Sequence, residues 1–391
     1  MGMLKSIVKM ILGFAGGIAI GFLIACVVII CFTDTTFPEF LEKLTSTNLS
    51  ETMTAAGVAV LAFIVSIFVL VFIHEAGHLV CGLLSGYRFV SFRIFNFTII
   101  RMDGKLRVKR YSVAGTGGQC LLTPPDLPLD KIPTGWYNFG GVFFNLIALL
   151  IAVPFLFLVK GHPFVTETIA MFVLADILLI LINGIPMKIS GAGNDGYNML
   201  FLKKDPISKR ALVEALRANA LVQEGVRPKD MPAEWFVVPE NICYRNQLEV
   251  SIPMMAAARL VDEMRYAEAL EAYERLYEHK DEIIPLYVNE IACELVFLRL
   301  MGGDEKGAAE LLDDKLRKYI ETYKKVMSSK ERILCAVSLR LDHDPDKALS
   351  IYENLRDRAG DYLLQGEVRS DLAIMHDMLT SSTDLRLVNR P

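Results

Sequence analysis

Cysteine, histidine and, over half of the chain, charge are scarce in this sequence. The seven cysteines, Cys26, Cys31, Cys81, Cys120, Cys243, Cys293 and Cys335, form no spacing framework. That excludes a disulfide-stapled secreted module and leaves free thiols as the expectation. Six histidines are too few for a protein that handles metals all along its length. No nucleic-acid motif is present, and a net charge of −4 points to no partner. The Gly-rich "GTGG" at 115–118 lacks the Lys-Ser/Thr of a phosphate loop, which argues against nucleotide binding. No A-x-A-like site follows the first apolar run, which is also too long for a signal-peptide core, so an uncleaved anchor is expected. The triplets "NLS" at 48–50 and "NFT" at 96–98 match glycosylation sequons at a level chance explains.

Charge is missing mainly from one half. Of the 86 charged residues (41 basic and 45 acidic), 24 lie in 1–201 and 62 in 202–391. The step near Lys203 separates an apolar half from a soluble one. Four segments of the first half reach the roughly 20 apolar residues that a bilayer span needs: Met10–Phe32, Thr52–Ile73, Tyr137–Val159 and Phe164–Ile185. The loop 85–136 is rich in Arg and Lys, Lys5 and Lys9 precede the first segment, and 33–51 is acidic. Basic loops stay cytoplasmic, so both termini and 85–136 are expected inside and 33–51 outside. The setting expected is a multi-pass protein of a plasma membrane, of bacterial type.

"HEAGH" at 74–78 closes the second apolar segment. On a helix, residues four apart share a face, so His74 and His78 can reach one metal ion, and Glu75 can address a water beside it. This is the zinc-metalloprotease signature, in which the metal acidifies water and a carboxylate moves the proton. The bland alternative, a chance match, is weakened by the setting: ionic groups inside a membrane helix cost several kcal/mol and are functional by default. A catalytic zinc needs a third protein ligand. His162 falls in the outer turn and His279, His343 and His376 in the soluble half. That leaves Asp195, Asp176 and Cys81.

With these motifs in view, the chain resembles the site-2 protease family of intramembrane zinc metallopeptidases. That family pairs H-E-x-x-H with a later N-x-x-P and Asp-Gly, found here as "NGIP" at 183–186 and "NDG" at 194–196, with a G-x-x-x-N between them, here "GVFFN" at 141–145. The resemblance covers about residues 52–200 as a three-helix core. It implies zinc held by His74, His78 and Asp195, Glu75 as general base, and Asn145 and Asn183 as polar groups near the scissile bond. One departure stands out. Twelve residues separate Asn183 from Asp195 where the family has about eight, and a Gly-rich run replaces its second Pro. The bland reading of the two Asn is helix-to-helix hydrogen bonding.

Around the core, 88–113 reads as a hairpin turning at Asp103-Gly104. It serves either as a sheet edge that pairs with substrate or as a membrane-surface hairpin. The stretch 114–130 reads as a Gly- then Pro-rich loop covering the cytoplasmic mouth. The C-terminal half reads as all helix, with three similar segments, 264–276, 303–316 and 344–356. Each carries a small residue and, a turn later, an apolar or aromatic one: Ala269/Tyr273, Ala308/Leu312 and Ala348/Tyr352. The period of 39 to 40 residues resembles tetratricopeptide-like hairpins that bind peptides or proteins. An ordinary helical bundle is the alternative.

The expected fold is therefore a mostly α, polytopic membrane protein with four transmembrane helices, a small β hairpin and a soluble all-α repeat-like domain. Its domains are 1–51 (anchor and external loop), 52–200 (protease core) and 201–391 (cytoplasmic helical domain). The expected function is zinc-dependent cleavage of a membrane-embedded or membrane-proximal protein or peptide near the cytoplasmic face. The helical domain would carry any protein partner. The rival is a catalytically inactive scaffold presenting that domain, which would have no need of Glu75.

Overall fold

A computed structural model of the chain describes residues 49–102, 104–110, 117–159, 161–189 and 191–381, with isolated positions between 36 and 42. The expected first span, Met10–Phe32, lies outside the described residues. So do its flanking Lys5 and Lys9, most of 33–51, and the loop 111–116.

Helix α1 runs unbroken over Leu49–Leu84, 36 residues. It ends in a left-handed turn at Gly86 (φ +86°), where the Tyr87 N–H bonds back to the Gly82 carbonyl at 3.0 Å. Helices α2 (Thr134–Leu158) and α3 (Pro163–Gly184) follow the sheet described below. Three helical stretches, Met53–Leu84, Leu129–Leu158 and Pro163–Gly184, are long and apolar enough to cross a membrane. They coincide with the second, third and fourth expected spans.

The chain divides into two compact units. One takes the chain up to His74 together with Val142–Ile182. Here the apolar side chains of α2 and α3 meet at Leu156, Ala170 and Val173. The other takes Glu75–Gly141 and everything from Asn183 onward.

The second unit holds an antiparallel sheet of β1 (Arg88–Ile94), β2 (Phe97–Met102), β3 (Lys105–Arg110) and β4 (Gly118–Thr123) in the order β3-β2-β1-β4. The expected hairpin is β2–β3, which turns through Gly104 at φ +72°. β4 is a correction, because Gly118–Thr123 was expected as loop. A lone hairpin leaves the second edge of β1 without partners, and backbone groups that buried cannot stay unmade. The "GQCLLT" run pairs with β1, with a register shift between Phe89 and Ser91. Tyr87, Phe92, Leu122, Tyr137, Val213 and Leu216 form the core beside it.

Beyond α3 come a two-residue hairpin, β5 (Lys188–Ile189) with β6 (Ala192–Gly193), and the short helix α4 (Asp195–Phe201). Helices α5 (Pro206–Gln223), α6 (Gln247–Asp262), α7 (Tyr266–Glu278), α8 (Pro285–Met301) and α9 (Glu305–Leu311) follow. Then come α10 (Asp314–Tyr323), α11 (Ser328–Ala336), α12 (Pro345–Asp357) and α13 (Gln365–Ser381).

The three similar segments fall on α7, α9 and α12, and Ala269, Ala308 and Ala348 are all fully buried. The middle segment is not one helix. Asp313 accepts from the Leu316 N–H at 2.7 Å and caps a new helix, so 303–316 splits between α9 and α10. Two residues before each of α7, α9 and α12 the backbone turns left-handed, at Met264 (φ +58°), Gly303 (φ +81°) and His343 (φ +53°). Two of these three are not glycine, which makes the shared corner uncommon for its sequence.

Candidate metal centre

The two imidazoles are oriented from behind, through their Nδ1 atoms. His78 Nδ1 lies 2.7 Å from the main-chain carbonyl of Tyr137. A carbonyl only accepts, so a proton sits on Nδ1 and Nε2 is the ring atom turned toward Asp195. The same logic reaches His74 through an amide. Asn145 Nδ2 donates to Asp176 Oδ1 at 2.8 Å, which fixes which end of the amide is oxygen. Its Oδ1 stands 2.7 Å from His74 Nδ1, so His74 also carries a proton there, and its Nε2 faces the other way. Asn145 and Asp176 are wholly buried. They form a relay, from carboxylate to amide to imidazole, of the kind that sets tautomer and ring angle at metal-ligating histidines.

His78 Nε2 lies 3.4 Å from Asp195 Oδ2. Two ligands of one tetrahedral ion with bonds of ~2.0–2.1 Å stand about 3.3 Å apart. His74 is one turn before His78 on the same helix, and one ligand atom each from His74, His78 and Asp195 lies within 4.8 Å of the others. Asp176 and Cys81, the other two candidates for a third ligand, are not in that group. Two imidazoles and a carboxylate are a donor set that suits Zn²⁺.

Asp195 reaches this place because the extra residues after Asn183 are folded away. Gly191 (φ +82°) turns the β5–β6 hairpin, and the chain returns so that Asn194 bonds back to Met187 at both main-chain and side-chain atoms. Asn194 then caps α4 through the Tyr197 N–H at 3.0 Å. Gly196 lets this turn approach the end of α3: a Cβ there would meet the Gly184 carbonyl oxygen at 2.1 Å. Asn183 sits at the C-terminal end of α3, with its main-chain carbonyl against the same glycine.

Glu75 is buried, and the sheet arrives beside it. A Cβ on Gly118, the first residue of β4, would lie 2.6 Å from Glu75 Oε1. Tyr137 ties the two elements together, because its hydroxyl donates to the Cys120 carbonyl at 2.8 Å while its own carbonyl holds His78. Burial, with Glu75 nearby, pushes the Cys120 thiol far above its ordinary range, so it stays protonated and is no thiolate ligand. Sequence reasoning missed Tyr137, Gly118 and the positioning relay. The polar Asp176 inside an apolar helix was the one available signal.

The model of peptidase family M50 matches residues 62–334, more than two thirds of the chain. The chain belongs to peptidase family M50. Membership makes this M50 peptidase an intramembrane metalloprotease of a family that is in general zinc-dependent. The match begins inside α1 and ends inside α11, so it runs well past the 52–200 core that the motifs define. No curated protein and no solved structure matches the chain.

Proposed function

We propose that this M50 peptidase holds zinc through His74, His78 and Asp195 and uses Glu75 to hydrolyse a peptide bond of a membrane-embedded or membrane-proximal substrate near the cytoplasmic face. The observation that carries this reading is the 3.4 Å approach of His78 Nε2 to Asp195, with the His78 proton fixed on the far nitrogen by the Tyr137 carbonyl. Zinc bound there supplies Lewis acidity, acidifying water and polarising the scissile carbonyl. Glu75 takes the proton from the attacking water on a carboxylate oxygen and delivers it to the leaving amine nitrogen. Asn145, expected to contact substrate, has both ends of its amide engaged and acts on His74 instead. Asn183 is assigned to the substrate side of the scissile bond.

The substrate is bound extended. β4 is an outer strand that starts against Glu75, so a peptide added along it has its backbone held by main-chain hydrogen bonds at the base. The helical domain from about residue 201 onward recruits or gates substrate as a repeat array. The recurring left-handed corner and the three buried alanines support that reading over an ordinary bundle. Both termini are cytoplasmic, with 1–51 as anchor and external loop and 52–200 as the core. A non-catalytic scaffold is disfavoured, since it has no use for a buried Glu75.

The test separates base from ligand. Glu75→Gln should keep about one zinc per chain, measured by metal analysis, and lose cleavage of a membrane-anchored reporter. Zinc lost together with activity would make Glu75 a ligand or a folding residue and overturn its assignment.

A further inference from the structure

Far from the metal ligands in sequence, the helical domain carries an open-sided cavity of about 270 Å³. One wall is apolar: Met254, Met255, Ala258 and Val261 of α6. The other is ionic, with Glu290 and Glu294 of α8, Arg332 of α11, and Glu367 and Asp371 of α13. Most of these charges are matched. Arg332 bonds Asp371 through Nε at 2.7 Å and Glu294 through Nη2 at 2.8 Å. Lys330 holds Glu290 at 2.7 Å, and Ser328 donates to Asp371.

Two groups are left over. Arg332 is only 2% exposed, and its Nη1 is buried with no hydrogen-bond partner among the described residues. With its other nitrogens engaged and its face covered by Phe297 at 4.1 Å, Nη1 is the one donor of this guanidinium left without an acceptor among the described residues. Glu367 makes no hydrogen bond or ion pair among the described residues. Against two cations, Lys330 and Arg332, stand four carboxylates, Glu290, Glu294, Glu367 and Asp371. Burial first, then repulsion from Asp371 and Glu290, pushes the Glu367 carboxyl up to about 8. At neutral pH it therefore holds a proton where a cation would otherwise be needed.

We infer that this cavity binds an extended polypeptide carrying a lysine or arginine side chain next to an apolar one. The basic group takes the place of the Glu367 proton, a main-chain carbonyl accepts from Arg332 Nη1, and the apolar side chain lies on the methionine wall, whose flexible thioethers adapt to its shape. A free amine would leave Arg332 without an acceptor and the apolar wall bare. A metal ion would have to sit beside a guanidinium. The inference deepens the recruiting role proposed for the helical domain and rests on that reading, but needs neither the metal nor Glu75.

The charged and titratable groups around Glu367 are Tyr273 on α7, Glu290 and Glu294 on α8, Lys330 and Arg332 on α11, and Asp371 on its own helix. Loss of the Glu367 proton as pH rises through about 8 opens the site to a cation. Affinity for a basic peptide should therefore rise with pH through that value.

The experiment uses the full chain in nanodiscs of zwitterionic lipid, with empty nanodiscs as control, and fluorescence anisotropy of a labelled Gly-Ala-Leu-Lys-Leu-Ala-Gly peptide. Acetylating the lysine should weaken binding about tenfold or more, because the charge that offsets the uncompensated carboxylate is gone. Glu367→Gln should do the same and should abolish the tightening expected between about pH 6.5 and about pH 8.5. Folding of that variant is checked by melting. A carboxyl raised in the folded state contributes its stability below its ordinary 4.5 and loses it as pH rises toward 8. Glu367→Gln should thus melt no lower than the parent above neutral pH. Equal binding of the acetylated peptide, no binding of either, or an unchanged pH profile in Glu367→Gln would overturn the inference. Chelator-stripped protein should bind as well as the zinc-loaded form, so the result stands apart from that of the proteolytic test.

Discussion

An amide in an apolar helix has to satisfy a carbonyl and an NH₂ without water, and Asn145 does so with His74 on one side and Asp176 on the other. Its two roles, orienting a ligand and touching substrate, predict different failures. Asn145→Ala should lower zinc affinity about 10–100-fold, the usual cost of losing such a partner, and chelator competition measures it. Full zinc affinity with poor cleavage would return Asn145 to the substrate. His74, Glu75 and His78 were legible in the sequence because their geometry is local: one helix and a fixed rise per residue. The relay was not, because its members are 71 and 31 residues apart, and only packing decides which polar groups in apolar helices meet. Asp195 lies between these cases, legible through the Asn-Asp-Gly match although its spacing departs from the family's.

At the scale of elements, two glycines hold different parts of the site, and their substitution should separate them. At Gly196 a methyl group meets a main-chain carbonyl at 2.1 Å, and main chain cannot swing aside. Gly196→Ala should displace the start of α4, with Asp195 on it, and lose both zinc and cleavage. At Gly118 the methyl meets the Glu75 carboxylate. Gly118→Ala should keep zinc and lose most cleavage, because only the base moves. Metal content and reporter cleavage on both variants check this, and zinc loss in Gly118→Ala would contradict it. Long apolar helices were legible by length and hydropathy alone. β4 was not, because "GQCLLT" sits between Gly-rich and Pro-rich runs, and its strand character comes from the open edge of β1. The break after α9 was hidden too: Leu311 and Leu312 continue an apolar pattern, and the Asp313 cap that ends it is one side-chain bond.

For the whole molecule, the charge step near Lys203 and the division by packing measure different things. Charge shows where a chain meets water, whereas contacts show what packs with what, so the unit boundaries after His74, Gly141 and Ile182 had no counterpart in composition. The membrane orientation was read from Lys and Arg asymmetry and is testable directly. A reporter fused after Pro391 should be cytoplasmic, and one inserted in 33–51 external, by protease protection or cysteine labelling. An external C-terminus would move the proposed chemistry to the opposite face and change the accessible substrates.

The length of α1 adds one more property. Thirty-six residues make a rod of about 54 Å, well beyond the ~30 Å of a bilayer's hydrocarbon. The same rod carries both the apolar stretch and the imidazoles, with no hinge between them. A span longer than the local bilayer leans over, and any such lean is carried to His74 and His78 undamped. Bilayer thickness thereby becomes a quantity to which the angle of the two rings is mechanically coupled.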